Sequence, residues 1–332
     1  MENKSITIND IANELGVSTS TVRRAIYGKG RIGSETRDRI LAYIKEKDFH
    51  LNTVAQNLAG SKTGNIAIVL PDINNLEEMP YYQMCMYGAM EVASANGFDL
   101  MIVTSDGKDT RYLDRLIRNR KIDGMIVTRT YTDGRLTNYL KLNGVPFVAV
   151  GKVDDEDVMQ LEHDHVGAAK ELTTLLLMKG LHKIAYLGDD REQWLNRNRY
   201  EGYERAHRDA NAPFDNSLVY RRLNSVSAIE AALEEAIKAG ADCILCQDDL
   251  ICKFAYKKLI SLGLDIPSDI KMASCYEGSV SFDSITNITA ARFDILELGR
   301  SACKMLIDSL KGKNEVKSKI LEYQIVLKES TK

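Results

Sequence analysis

Thr19, Ser20, Arg23 and Arg24 fall at helical spacing within the segment DIANELGVSTSTVRRAIYGKG (residues 10–30). Arginine donates in a fork that fits guanine O6 and N7, and hydroxyls reach bases or phosphates. A helix exposing these four side chains is suited to the major groove of DNA. The same segment supplies a support for that helix. Ala12 is small where two helices cross, Gly16 allows a left-handed turn, and Val17 and Val22 plug the space between them. Catalysis has little to work with. His50, His163, His165, His182 and His207 are scattered, and no G-x-S-x-G, P-loop or complete Rossmann glycine fingerprint is present. Cys243 and Cys246 have C-x-x-C spacing, but no second pair completes a tetrahedral site. With Cys85, Cys252, Cys275 and Cys303 they read as reduced core cysteines. The expectation is a non-enzyme with no metal and no cofactor.

The elements that must position the four groove-facing residues are short helices. Thr7 can cap Ile8–Leu15 with Asp10 three residues on, and Gly16 ends it. Ser18 caps a second helix, Thr19–Tyr27, before Gly28, Gly30 and Gly33 loosen the backbone. A third helix is expected over 35–47, with Ile40, Leu41 and Ile44 as its apolar stripe. Residues 52–60, NTVAQNLAG, could make two helical turns but are too short to be stable alone in water, so they read as a hinge. From Asn65 the pattern changes. The runs IAIVL (66–70), DLMIV (99–103), GMIVT (124–128), PFVAV (146–150), KIAYL (183–187), DCILC (242–246) and IKMAS (270–274) alternate with helical stretches. Such runs are strands buried on both faces, and their alternation with helices implies right-handed crossovers in parallel sheets. The expected fold class is α/β: an all-α headpiece on a doubly wound, two-lobed body, whose ligand would sit beyond the carboxyl ends of the strands.

Length and composition agree. A chain of 332 residues suits two or three domains. Its 44 % hydrophobic and 27 % charged residues fit a soluble globular protein, and no apolar run approaches the ~20 residues of a membrane span. The start, MENKSITIND, has no apolar signal core, so the cytoplasm is the expected location and no membrane is expected as a partner. The net charge of −3 conceals an asymmetry. Residues 1–62 carry ten Lys and Arg against seven Asp and Glu, a net +3, leaving 34 against 40 for the rest.

These features together resemble the LacI/GalR family of bacterial transcription regulators, across essentially the whole chain. The resemblance rests on IxDIAxxLGVSxxTVxRA at 8–25, SETRDRILAYIKE at 34–46, NTVAQNLAG at 52–60, TGNIAIVLPDI at 63–73 and RNRYEGY at 197–203. It implies a helix-turn-helix headpiece over 1–50, a hinge helix and linker over 51–62, and a periplasmic-binding-protein-like effector and dimerisation domain over 63–332. One lobe would span about 63–162 and 292–320, the other about 163–291 and 321–332. It further implies that Thr19, Ser20 and Arg24 read bases and that Thr7, Ser18 and Thr21 hold the DNA backbone, with Arg23 alongside. Leu58 would wedge into the minor groove, with Asn52 and Ala55 on the same face. Three positions depart from the family pattern. Arg23-Arg24 stands for Ser-Arg and Tyr27 for Asn, which makes the operator this chain's own, and Leu51 for Pro, which loosens the hinge entry.

The resemblance also implies a small-molecule effector between the lobes, most simply a mono- or oligosaccharide. Candidates are Tyr81, Tyr82, Arg129, Asp164, Trp194, Arg199, Asp248 and Glu277. Carboxylates accept hydroxyl hydrogen bonds, arginine donates in a fork, and aromatic faces cover the apolar side of a pyranose. Asp164 could instead cap the helix near His165, Trp194 lies in an apparent loop, and one of the tyrosines could be plain core. His163 and His165 take positions that are simply polar in the family. The family usually has Asn where Asp248 stands, Asp where Glu277 stands and Gln where Phe293 stands, so the pocket has its own specificity. The expected protein is a homodimeric repressor of operator DNA. A phosphocarrier-controlled regulator or a purine-type effector are the alternatives. A periplasmic sugar-binding protein would share the body but not residues 5–60.

Overall fold

The computed structural model describes residues 6–27, 30–47, 62–71, 79–189, 193–278, 287–313 and 317–332. They form two compact units, Met1–Lys62 and Thr63–Lys332. The first contains α1 (Ile8–Leu15), α2 (Thr19–Tyr27) and α3 (Ser34–Glu46). At the start of α1 the Thr7 hydroxyl accepts from Asp10 N at 3.2 Å, and the Asp10 carboxylate accepts from Thr7 N at 2.8 Å. Each fills a donor that a helix start leaves open. Gly16, at φ 63°, closes α1 in the left-handed conformation that glycine adopts without penalty. Ser18 accepts from Thr21 N at 3.1 Å and starts α2. Ile11, Ala12, Val22, Ala25 and Ile40 form the buried core. Leu41 does not join the stripe expected of it and is 39 % exposed. The packed side of α3 runs through Ile40, Tyr43 and Ile44, and one residue on a helix turns by about 100°.

The second unit holds two six-stranded sheets. The first is ordered β11-β5-β4-β3-β1-β2, from β1 (Asn65–Leu70), β2 (Asp99–Thr104), β3 (Gly124–Val127), β4 (Phe147–Val150), β5 (Met159–His163) and β11 (Ser318–Leu321), all parallel. The second is ordered β12-β10-β9-β8-β6-β7, from β6 (Ile184–Leu187), β7 (Val219–Tyr220), β8 (Cys243–Cys246), β9 (Lys271–Ser274), β10 (Thr289–Phe293) and β12 (Tyr323–Val326), with only β12 antiparallel. The seven apolar runs became β1, β2, β3, β4, β6, β8 and β9. The central strands β3, β4, β6 and β8 are buried at every residue, which is why they read as continuous apolar segments. The five strands without such a run include β7, β11 and β12 at sheet edges, where exposed faces tolerate polar residues.

Helices cover these sheets: α4 (Met79–Ala95), α5 (Arg111–Arg118), α6 (Arg135–Leu142), α7 (His165–Met178), α8 (Trp194–Asp209), α9 (Val226–Lys238), α10 (Asp249–Ser261) and α11 (Ile295–Leu310). The chain passes between the sheets after β5, after β10 and between β11 and β12. Two of these crossovers end on an aspartate cap: Asp164 Oδ1 accepts from Gly167 N at 2.7 Å, and Asp294 Oδ1 from Glu297 N at 2.9 Å. The helix after each crossover then covers the lobe it has entered, α7 against β10 and β12, α11 against β3, β4 and β5. Among the described residues no helix is long and apolar enough to cross a membrane.

The pair α4 and α11 is fixed by reciprocal glycines. A Cβ on Gly88 would lie 2.0 Å from Leu296 O, and one on Gly299 2.0 Å from Cys85 O. Backbone touches backbone on both sides, so neither helix can yield without the other. Gly88→Ala should destabilise the protein by ~1–3 kcal/mol through overpacking. A thermal scan checks this, with a midpoint several degrees below wild type expected.

Candidate functional site

The two lobes of the second unit face each other across a cleft lined from both sides, the kind of concavity in which small molecules bind. Its walls are built at the carboxyl ends of strands. Thr128, Arg129 and Thr130 follow β3, and Lys152 follows β4, while Tyr81 and Tyr82 lie in the first turn of α4. Across from them Asp248 and Asp249 follow β8, Tyr276 and Gly278 follow β9, and Asn196 and Arg199 stand on α8. Tyr81 and Tyr276 meet across the cleft with ring centres 6.2 Å apart, edge to face. The guanidinium of Arg129 lies 5.4 Å from the Tyr82 ring, and that of Arg199 5.5 Å from Tyr276. Aromatic faces beside charged and amide groups can cover the apolar side of a sugar ring while binding its hydroxyls.

One residue behind the wall fixes the second lobe's donors. Gln247, buried at the end of β8, accepts at its carbonyl from Arg199 Nη1 at 3.0 Å. Its side-chain Nε2 donates to Asn196 Oδ1 at 2.6 Å, and its Oε1 accepts from Asp189 N at 2.9 Å and Tyr186 OH at 3.2 Å. Asn196 and Arg199 are three residues apart, hence on one face of α8. Each is tied at one end. The other ends, Asn196 Nδ2 and Arg199 Nε, are buried without a hydrogen-bond partner, as are His163 Nε2 and His165 Nδ1. A buried donor left unpaired costs ~1–3 kcal/mol, so a molecule that accepts from both recovers that loss on binding.

Five of the eight expected effector residues line this cleft: Tyr81, Tyr82, Arg129, Arg199 and Asp248. Tyr82 is also part of the first lobe's core. Asp248 doubles as the cap of α10, accepting from Ile251 N at 2.9 Å. The structure places the other three elsewhere. Asp164 is exposed and occupied as the cap of α7. Glu277 is held by Arg292, whose Nη2 donates at 3.1 Å, and by Lys328 Nζ at 2.6 Å. Trp194 is not in a loop but opens α8, buried between Lys152 and Arg197. Sequence reasoning missed Glu162, His163, His165, Asn196, Asp249 and Tyr276 on the wall. Two carried a signal: Asn196 sits at helical spacing from Arg199, and Asp249 adjoins Asp248. His163 ends β5 and His165 opens α7, and Phe293 packs on both rings at 5.0 and 4.7 Å. The C-x-x-C cysteines separate, with Cys243 packed in one core and Cys246 in the other. Among the described residues no group of three or more His, Cys, Asp and Glu is arranged to hold a metal ion.

Burial sets the ionisation of this wall. It lifts Asp249 to about 7, with the Asp248 charge adding to the effect. It lifts Glu162 to about 7 as well, although Lys152 pulls the other way. Burial lowers His163 to about 4 against the opposing charge of Asp294. It pushes His165 well down, helped by Arg199 and His163. For each carboxyl group the folded protein binds its proton more tightly than the unfolded chain does. Its contribution to stability therefore falls as pH rises from about 4 to about 7, and the cost is complete above that. Asp249→Asn removes the ionisation. The stability of the variant relative to wild type should rise by on the order of 1 kcal/mol between pH 5 and pH 8. Urea midpoints at the two pH values measure it, and equal gaps at both would contradict the assignment.

On the first unit Thr19, Ser20, Arg23 and Arg24 are all exposed on α2. Thr21 is half-buried, and its hydroxyl lies 2.8 Å from that of Ser18. The Thr7 hydroxyl is engaged by Asp10 at 2.6 Å. Asn52, Ala55 and Leu58 lie outside the described residues.

Comparison with known proteins places both units. Residues 7–52 match the model of bacterial regulatory proteins of the lacI family, and residues 63–329 that of periplasmic binding proteins and the sugar-binding domain of the LacI family. The HTH-type transcriptional regulator MalR of Streptococcus pneumoniae serotype 4 is 27 % identical, over 97 % of this chain and 99 % of its own. The regulator RegA of Clostridium saccharobutylicum is 26 % identical, over 98 % and 99 %. The fold is that of the lac repressor dimer bound to operator and the anti-inducer ONPF, at a TM-score of 0.80 with 18 % identity over 99 % of both chains. It is also that of the CelR–cellobiose complex, at a TM-score of 0.74 with 24 % identity over 98 % and 99 %. The chain belongs to the LacI family of DNA-binding bacterial transcription regulators, with a helix-turn-helix unit followed by a periplasmic-binding-type domain.

Proposed function

We propose that this regulator is a repressor whose hold on operator DNA is released by a sugar bound between the lobes. One observation carries the effector assignment: Arg199 Nε and Asn196 Nδ2 are buried, unpaired and adjacent on a helix lining the cleft. Two fixed donors beside Tyr81, Tyr82 and Tyr276 call for a ligand rich in acceptor oxygens with an apolar face, and a mono- or oligosaccharide meets both demands. CelR, of the same fold, is solved with cellobiose, which supports the assignment.

In this account residues 1–50 read DNA, 51–62 are the hinge and 63–332 sense the sugar. Thr19, Ser20, Arg23 and Arg24 face base edges, while Thr7, Ser18 and Thr21 seat the headpiece on the backbone. Asn52, Ala55 and Leu58 are assigned to the minor groove. The working form is a homodimer in the cytoplasm. Ile102, on the edge strand β2, is 61 % exposed, and Tyr87 and Met90 of α4 and Tyr112 of α5 beside it are more than half or half exposed. An apolar patch next to an unpaired strand edge suits burial against a second copy. The lac repressor, of the same fold, is solved as a dimer on its operator. Two-fold symmetry then matches a pseudopalindromic site.

Sugar acts only through unequal affinity for the DNA-competent and released forms, typically ~1–3 kcal/mol of coupling. A thermal-shift screen of mono- and disaccharides, run beside a set of nucleobases, identifies the ligand class; stabilisation by nucleobases alone would move the assignment to a purine. Arg24→Ala should weaken specific operator binding by ~1–3 kcal/mol and relax preference at one base pair, and an unchanged footprint would remove Arg24 from base reading. Arg199→Lys keeps the charge but loses the Nε donor. It should require about tenfold more sugar for operator release, the equivalent of ~1.4 kcal/mol, with sugar-free operator affinity unchanged in a fluorescence-anisotropy titration.

A further inference from the structure

Contacts at one side of the cleft join the lobes directly. Tyr131, in the loop after β3, and Gln193, just before α8, form an isolated antiparallel backbone bridge. Trp194 follows, 9 % exposed although it does not line the cavity. Over its ring the first lobe places the ammonium of Lys152, 4.7 Å from the ring centre, and its own helix places Arg197 at 4.9 Å. Tyr131 is itself pinned, with the Arg135 guanidinium 4.0 Å from its ring centre and Arg135 Nε donating to Asp106 O at 2.9 Å.

We propose that Lys152 and Trp194 form a clasp that holds the lobes closed and positions α8 for ligand. Indole offers the strongest face for a cation among the aromatic side chains, and the attraction grows as the pair is removed from water. Lys152 and Trp194 come from different lobes, so opening the cleft at this side separates them and wets the ring. Helix α8 is then held at two points. Trp194 ties its first turn to the first lobe, and Arg199, five residues on, ties it to Gln247 of the second. Asn196 lies between the two anchors, so closure of the clasp sets where the cleft's unpaired donors stand. Trp194, which does not line the cavity, is thus a positioning residue acting through α8, and Lys152 of the cleft wall is its partner. The consequence for ligand affinity rests on the cleft being the sugar site; the clasp itself does not.

Trp194 is the one tryptophan of the chain, so its fluorescence reports the clasp directly. In the full chain without ligand, Lys152→Ala should raise the acrylamide quenching constant about twofold or more by shifting the population toward open lobes, and Lys152→Arg should restore it. Quenching unchanged in Lys152→Ala, or as high in Lys152→Arg as in Lys152→Ala, would overturn the proposal. Should Lys152→Ala lower the melting midpoint, Lys152→Met keeps the aliphatic stem and serves in its place. Operator release is then titrated with cellobiose, maltose and ribose. Whichever acts on wild type should require several-fold more in Trp194→Leu, which removes the clasp from outside the cavity, and an equal midpoint would overturn the positioning role. If none of the three acts on wild type, the sugar assignment is at fault, and the quenching comparison still decides the clasp.

Discussion

A buried polar group must find a partner or carry a standing cost, and Gln247 is where this chain meets that constraint. Its backbone N–H donates to Leu187 O at 2.8 Å as β8 ends beside β6, its carbonyl holds Arg199, and its side chain holds Asn196, Asp189 N and Tyr186. Every polar atom of the glutamine has a partner, whereas Arg199 Nε and Asn196 Nδ2 have none. The sheet thus fixes two donors in space on a helix that lines the cleft. Preorganised donors bind without first being ordered, which is the economical way for a small molecule to be gripped.

The rest of the effector domain keeps those donors opposite the right wall. Glycine contacts lock α4 to α11, and a Cβ on Gly202 of α8 would lie 2.4 Å from Val166 O of α7. Each lobe is therefore rigid where a helix entering from the other lobe packs. The three passages of the chain between sheets are the places left to bend. At the first of them the imidazoles of buried His163 and half-buried His165 pack on Phe293, and loss of surrounding water favours the neutral form of each. The relation between the lobes is the coordinate a regulator with a ligand in the cleft needs to control.

Much of this was legible in the sequence, and the failures have physical causes. Strands buried on both faces must be apolar throughout, so β3, β4, β6 and β8 were evident. The edge strands β7, β11 and β12 are half wet and carried no such signature. Caps depend on neighbours three residues away, so Thr7, Gly16 and Ser18 were found where they stand. Leu41 was misplaced because a stripe read by spacing can be off by one residue, and the partner surface alone settles which side is dry. The cleft was found in outline through strand ends, which locate Asp248 without any contact information. Glu277 stands at a strand end too, yet its carboxylate is taken by Arg292 and Lys328, from β10 and from just past β12, distant in sequence and invisible to local reasoning. Trp194 was assigned to a loop because REQWLNRN is polar and its buried partner, Lys152, lies in the other lobe.

If the two half-tied side chains on α8 grip the ligand, they must face its oxygens in the bound state. A crystal structure of the full chain grown with a sugar that releases operator DNA decides this. Ligand oxygens should lie within ~3 Å of both Arg199 Nε and Asn196 Nδ2, with Gln247 keeping the partners it has here. A sugar bound elsewhere, with those two nitrogens facing only water, would contradict it.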